Sequence, residues 1–241
     1  MTSTREEILN RFGDGESLKG ADLVDVDLRG ADLSSVDFTE ADLAGALLCR
    51  ASLSHACFAR AKLEGATFEL AVMQGADLRR VRGGSVRFSH AFLEGALLDE
   101  AELPGVDFEG AGLQGVRLHR ATMVGGHFEL ADLTGADLTG AVLTRSHLLN
   151  AILANAVLSG TRLESAVLDA CDLTGARLDE VEAPRASFVS AIFEHAEVRK
   201  CDFQEANLRG AGLTASRLPD CALHGAQFRK PGTQDETPAD S

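Results

Sequence analysis

The chain has 241 residues, carries a net charge of −14 and is 45% apolar, with no Trp and no Tyr. A packed core is possible, but it must be built mainly from Leu and Ala because only 12 Phe are present. The negative charge argues against direct nucleic-acid binding and favours a basic partner. No stretch approaches the roughly 18 apolar residues that a membrane span needs, so we expect no membrane association.

The first segment, residues 1–15, is predicted to be a short capping helix. Its start, MTSTREEILNRF, contains acidic residues and lacks the apolar region of a signal peptide. Ser3 and Glu6 have the spacing of a capping box, which predicts a helix that begins at Ser3 and reaches Phe12. An apolar stripe on this helix is expected to cover the first coil of the following domain: Ile8, Leu9 and Phe12.

A repeat of five residues begins at Leu18 and continues to Phe228. Every fifth residue in this run is Leu, Phe, Met or Val, which gives 43 positions with exceptions only at Gly83 and Ala183. A small residue, usually Ala, lies two positions before almost every one of them. Side chains two apart lie on the same side of an extended segment, so both point into a core while their neighbours point to solvent. We call the large residue the central residue of its repeat.

The repeat predicts extended segments joined by corners. The fifth position is often Gly, as at Gly20 and Gly135, and can take the positive φ of a tight turn. If each corner turns the chain by about a right angle, four repeats close one coil of 20 residues. The spacing of 20 predicts a column of stacked rings on one face, formed by Phe68, Phe88, Phe108 and Phe128, and a shorter column on another face, formed by Phe38 and Phe58.

The phrases ADLSS, ADLAG, ADLTG, ANLRG and CDFQE resemble the A(D/N)LxX repeat of the pentapeptide-repeat family. The resemblance covers residues 16–230. It implies an all-β fold, a right-handed quadrilateral parallel β-helix of about 10–11 coils, which at strand spacing is a rod roughly 50 Å long. The remaining residues, 231–241, contain two prolines and no apolar periodicity, and are predicted to be a disordered polar tail.

The sequence contains no phosphate-binding loop, nucleophile elbow or zinc-protease motif, so we expect neither an enzyme nor a cofactor. In coils of 20 residues, the outward side chains of adjacent coils bring together Asp107, His127 and His147. This column is a weak candidate for a metal site, and a solvent-exposed row of polar side chains is the favoured interpretation. Cys201 and Cys221 stack at the inward slot as compact apolar filler. The five irregularly spaced cysteines indicate reduced thiols and a cytoplasmic location.

Charge is distributed unevenly over the four predicted faces. The repeats centred on Leu33 and on every twentieth residue after it carry acidic residues and no Lys or Arg in their outward slots. We call this the acidic face. It also carries an apolar stripe, so we expect a partner to bind there. The candidate residues are Asp32, Val72, Phe92, Glu94, Asp132, Ile152, Asp172, Ile192 and Glu194.

Two functions follow from these observations. The first is a non-enzymatic interaction scaffold or regulator that binds a protein partner through its acidic surface. The second is implied by the family resemblance: some members mimic DNA and bind DNA gyrase or another type II topoisomerase, protecting it from inhibitors. Those members typically dimerise through a C-terminal helix, which is not predicted in this chain, so we expect a monomer or a weak homodimer.

Overall fold

The computed structural model describes residues 4–213 and 218–228, which form one helix followed by a parallel β-helix. Isolated parallel bridges join each outward residue before a central residue to its equivalent 20 residues later, from Asp22 with Asp42 to Asn207 with Gln227. One coil therefore contains four repeats, as predicted. Two longer strands, β1 (Arg177–Asp179) and β2 (Glu197–Arg199), pair in the same parallel register.

Helix α1 spans Arg5–Gly13 and lies against the first coils. Ile8 is fully buried in the common core, and the Arg5 guanidinium donates to the carbonyl oxygen of Asp27 at 3.1 Å. The predicted capping box was wrong by one residue. Thr4 is the N-cap: its hydroxyl accepts from the N–H of Glu7 at 3.3 Å, and the Glu7 carboxylate accepts from the N–H of Thr4 at 2.8 Å.

The corners are tight turns in which the fifth residue of each repeat has a positive φ. This holds at every fifth residue from Gly20 to Gly225 within the described part of the chain. A hydrogen bond closes most of these turns, as between the N–H of Ala21 and the carbonyl of Leu18 at 3.1 Å. Glycine is not required: Arg50 and Leu70 adopt φ of 59° and 58°. This conformation costs roughly 1–2 kcal/mol for a residue with a Cβ, and the bonds between coils offset that cost.

The core consists of the central residues and the small residues before them, nearly all of which are buried. The predicted ring column is confirmed: rings of adjacent coils from Phe68 to Phe128 have centroids 4.8–5.3 Å apart and interplanar angles of 11–29°. Phe38 and Phe58 form the shorter column at 5.1 Å, and the Phe58 ring meets Phe68 edge-on. The two columns lie on opposite sides of the coil and thus meet across its interior.

One exception to the repeat has a clear steric reason. A Cβ on Gly83 would lie 2.6 Å from the backbone nitrogen of Glu64, so a larger central residue does not fit there without moving the backbone. No helix among the described residues has the length and apolar character needed to span a membrane. The predicted tail, residues 231–241, lies outside the described residues, as does Ser3 of the predicted capping box.

Candidate interaction surface

The aspartates of the acidic face hold its turns. Asp32, Asp132 and Asp172 each precede a central residue, and each carboxylate accepts from the backbone N–H two residues further along, at 3.2, 3.0 and 2.9 Å. An acceptor in this slot satisfies an N–H that the corner exposes. Each of these predicted binding residues therefore has one carboxylate oxygen committed to the fold.

Asp132 has more donors than this single N–H. Its carboxylate also accepts from the Thr134 hydroxyl at 2.5 Å and from the side-chain amide of Gln114 at 2.7 Å. Burial alone would raise the pKa of Asp132, but these hydrogen bonds outweigh it and hold the pKa below its usual value. Asp132 is therefore a fixed negative charge at neutral pH.

The apolar stripe of the acidic face is exposed but not continuous. Phe92, Ile152 and Ile192 are 39–44% exposed, while Val72 is half-buried. Val72 and Phe92 are direct neighbours on adjacent coils, whereas Ile152 lies between Asp132 and Asp172. The structure thus divides the predicted stripe into two parts. One is the apolar pair of Val72 and Phe92, and the other, from Asp132 to Ile192, is a run in which acidic and apolar side chains alternate.

The sequence analysis did not predict two exposed leucines near the apolar pair of Val72 and Phe92. Leu70 and Leu130 occupy the fifth position of repeats three coils apart, at the corner that leads onto the acidic face, and are 40% and 59% exposed. Both have positive φ, and both line the same groove as Phe92. The signal was present in the sequence, because a large apolar side chain is out of place in a slot that otherwise carries Gly or polar residues.

Between these side chains lies a groove of about 410 Å³, which we call the notch. Its floor is formed by Gly110, Ala111 and Gly112, and Phe92 and Leu130 line it. Glu94, Gln114 and Asp132 also line the notch and supply its acceptor groups. It therefore combines apolar walls with negative charge.

The acidic residues of this face have no basic neighbours. None of the ion pairs within residues 4–213 and 218–228 involves Asp32, Glu94, Asp132, Asp172 or Glu194. Elsewhere on the rod, acidic residues are commonly paired with Arg or Lys from the same or an adjacent coil, as in the 2.9 Å contact of Lys62 with Asp42. The carboxylates of the acidic face are thus unpaired where these apolar side chains are exposed.

Comparison with known proteins identifies the repeat. Eight segments match the family described as pentapeptide repeats: 17–48, 31–69, 48–82, 85–115, 111–148, 131–169, 166–204 and 199–230. The chain belongs to the pentapeptide-repeat family. The fold of its relatives is a right-handed β-helix, which confirms the predicted fold class. The two-residue gap between matches falls on Gly83 and Gly84, where the central residue is replaced by glycine.

Two solved pentapeptide-repeat structures illustrate the similarity. HetL, involved in heterocyst differentiation regulation in the cyanobacterium Nostoc sp. strain PCC 7120, is 26% identical, with a TM-score of 0.50 over 94% of this chain and 96% of HetL. A trypsin-treated QnrB1, a plasmid-mediated fluoroquinolone resistance protein, is 15% identical, with a TM-score of 0.47 over 77% of this chain and 85% of that one. A search of curated protein sequences gives no significant match.

The candidate metal column of this pentapeptide-repeat protein is a stack of rings. His127 and His147 lie parallel with centroids 5.2 Å apart. The Asp107 carboxylate is turned away from them: it accepts from the Ser89 hydroxyl at 2.6 Å and from the N–H of Glu109 at 2.9 Å. Within the described part of the chain, no three His, Cys, Asp or Glu side chains converge as metal ligands.

The five cysteines are free thiols. Cys201 is buried in the core, as predicted for an inward filler, whereas Cys221 is partly exposed. The hydrogen bond between the two thiols raises the pKa of Cys201, as does burial, and lowers the pKa of Cys221. The Cys221 sulfur also accepts from the N–H of Cys201 at 3.4 Å, so both thiols are engaged in local contacts at this end of the rod.

Proposed function

We propose that this pentapeptide-repeat protein is a non-enzymatic scaffold or regulator whose acidic face binds a basic protein partner. The observation that carries the proposal is the coincidence of unpaired carboxylates with exposed Phe92, Ile152 and Ile192 on one face. Apolar anchors supply most of the binding free energy in protein interfaces, and complementary charge supplies orientation and a fast association rate. The aspartate oxygens that do not serve the turns would meet the partner's basic groups.

Two further observations support this role. HetL, which is similar over nearly the full length of both chains, is described as involved in the regulation of heterocyst differentiation. Members of the family are generally non-enzymatic scaffolds. We also place the protein in the cytoplasm, because its cysteines are free thiols and a reducing compartment keeps them so.

The test is affinity capture with the tagged full chain, followed by quantitative binding of the captured partner. Changing Phe92 and Ile152 together to Asp is expected to weaken binding at least tenfold, because both side chains project from the acidic face. A control is Val142→Asp, which puts one such charge into the same slot on the opposite side of the coil. Equal binding by both variants and the unmodified chain would show that the acidic face is not the interface.

The net charge of −14 favours a second candidate, a DNA mimic that binds gyrase. A rod with acidic sides can enter a groove that evolved for duplex DNA. The measurement is DNA supercoiling by gyrase with and without a quinolone-type inhibitor. If a large molar excess of the protein leaves supercoiling and its inhibition unchanged, the protein does not bind gyrase in place of DNA.

A further inference from the structure

The notch exists because one repeat of the acidic face carries glycine where its neighbours carry side chains. Gly112 lies in the same slot as Phe92 on the preceding coil and Asp132 on the following one. Without a side chain at Gly112, the Glu94 carboxylate folds over the backbone. A Cβ built on Gly112 would lie 2.9 Å from Glu94 Oε1 and 3.2 Å from Gln114 Oε1. Two side-chain acceptors therefore converge on one point.

Among the described residues that line the notch, the buried atoms without a donor are the other oxygen of the Glu94 carboxylate and the same oxygen of the Gln114 amide. Neither Glu94 Oε2 nor Gln114 Oε1 has a hydrogen-bond partner among the described residues. The orientation of the Gln114 amide is fixed, since its nitrogen donates to Asp132 Oδ2 at 2.7 Å and its oxygen must point the other way. A buried acceptor without a donor costs about 1–3 kcal/mol, and more when it is charged. A donor supplied from outside the described residues would satisfy both oxygens.

The missing donor is a cation with a flat apolar surface. The acidic face has no Lys or Arg of its own that could reach the notch. Phe92 presents 44% of its surface beside the acceptors, and Leu70 and Leu130 form further apolar wall. A guanidinium is planar, weakly hydrated and rich in N–H donors, so it can stack on an aromatic ring while donating to a carboxylate. An ammonium is a compact, strongly hydrated charge and uses such a site less well.

We propose that the notch is a binding site for the guanidinium of an arginine that the protein partner presents. The guanidinium donates to Glu94 and to Gln114 Oε1, and its plane and aliphatic stem lie against Phe92 and Leu130. This inference rests on the proposed function, because it specifies the side chain by which a basic partner is recognised. A side chain at position 112 would displace the Glu94 carboxylate and so remove one of the acceptors of the site.

The direct test uses the isotopically labelled full chain and a small probe, N-acetyl-arginine-N-methylamide, in an NMR titration. Amide shifts are expected at Glu94, Gly112 and Gln114. The lysine analogue should bind several-fold more weakly, and the neutral citrulline analogue at least tenfold more weakly. Equal shifts with citrulline, or shifts spread evenly over the acidic face, would overturn the proposal.

Three variants locate the site. Gly112→Val places a side chain on the floor of the notch and is expected to abolish the shifts. The fold should tolerate it, because Val72 occupies the equivalent position of another coil. Glu94→Gln keeps the shape but removes the charge, and should weaken binding about tenfold. Gly212→Val is the matched control: it lies in the same slot, its nearest neighbour is 3.9 Å from the added Cβ, and binding should be unchanged. Circular dichroism verifies that each variant is folded, and arginine binding that survives Gly112→Val would contradict the assignment.

The two proposals fail in different ways. If the arginine probe does not bind the notch but capture of the partner is still lost when Phe92 and Ile152 become Asp, the notch assignment is wrong and the interaction surface remains. If the probe binds the notch while those substitutions leave partner binding unchanged, the acidic face is not the partner interface.

Discussion

The acidic face and the face opposite it share one backbone but treat charge in opposite ways. The opposite face, which we call the paired face, consists of the repeats centred on Leu23 and on every twentieth residue after it. On it, charges of opposite sign stack on adjacent coils, as in Lys62 with Asp42 at 2.9 Å and Arg82 with Glu102 at 3.2 Å. The acidic face has no such pair within the described residues. Both faces carry an excess of acidic side chains, with nine acids against five bases on the paired face, and they differ in that the paired face forms ion pairs between its coils.

The five-residue repeat thus uses different positions for the core and for the surface. The inward positions are nearly identical on both faces, so they specify the coil and cannot distinguish one side from another. The outward positions are free to vary because solvent tolerates almost any side chain there. A surface that binds can therefore be placed on any side of the rod without changing the core.

The largest effect is expected when the shared core is altered. Phe108→Ala removes a ring that stacks at 5.0 Å on Phe88 and at 5.3 Å on Phe128. Loss of a buried aromatic side chain costs about 3–5 kcal/mol. Chemical denaturation should show this loss, whereas Phe92→Ala on the acidic face should change stability by less than about 1 kcal/mol. Equal losses would mean that Phe92 belongs to the core rather than to the surface.

The core and the coil could be predicted from sequence because they obey a strict period. Alternation places residues two apart on one side, and the fivefold phrase with its column of Phe at spacing 20 fixes four sides to a coil. The helix was also predictable, but not its first residue, because Ser3 with Glu6 and Thr4 with Glu7 have the same capping spacing. Only the packing of Ile8 against the first coil distinguishes them.

The candidate site was only partly predictable. Sequence located the acidic face and its apolar residues, because these depend on register alone. The notch depends on side-chain conformation: the Glu94 carboxylate folds across Gly112, and the Gln114 amide turns toward Asp132. Leu130 joins the site only because the corner positions it beside Phe92. None of these contacts has a period, so none could be read from the repeat.

A smaller effect is expected at the turns, where it tests how strongly the acidic face depends on its carboxylates. Asp132→Asn keeps an acceptor for Thr134 but removes the charge that strengthens the bonds from Thr134 and Gln114. We expect a loss of about 1 kcal/mol at pH 7. The pKa of Asp132 is lower in the folded protein than in the unfolded chain, where it is about 4. The carboxylate therefore stabilises the fold fully above the unfolded-state pKa, and this stabilisation is lost as the pH falls through the folded-state pKa.

Denaturation measured from pH 7 to pH 2 should therefore show the difference between Asp132→Asn and the unmodified chain shrinking below about pH 4. The control on the paired face is Asp202→Asn, where the carboxylate serves the N–H of Gln204 at 2.9 Å. It should lose less stability than Asp132→Asn, since Asp132 has three donors. A difference at position 132 that stays constant down to pH 2 would mean that its origin is not the carboxylate charge.

The smallest effect on stability is expected when a pair of the paired face is copied onto the acidic face. Ser52 bridges Asp32 in the same register in which Lys62 bridges Asp42. Ser52→Lys should therefore form an exposed ion pair with Asp32 and change the free energy of unfolding by less than about 0.5 kcal/mol. Lys62→Met, which removes the original pair, is the control and should change it equally little, less still at high salt.

The same substitution should nevertheless affect binding, because it brings a positive charge to the one face that has none. Ser52→Lys is expected to slow association with a basic partner several-fold at low salt, while Lys62→Met leaves the rate unchanged. Stopped-flow association at two ionic strengths measures both. If Lys62→Met speeds association by as much as Ser52→Lys slows it, net charge controls the encounter and the arrangement of charge on one face does not. If only Ser52→Lys changes the rate, the unpaired charge of the acidic face is the feature that the partner detects.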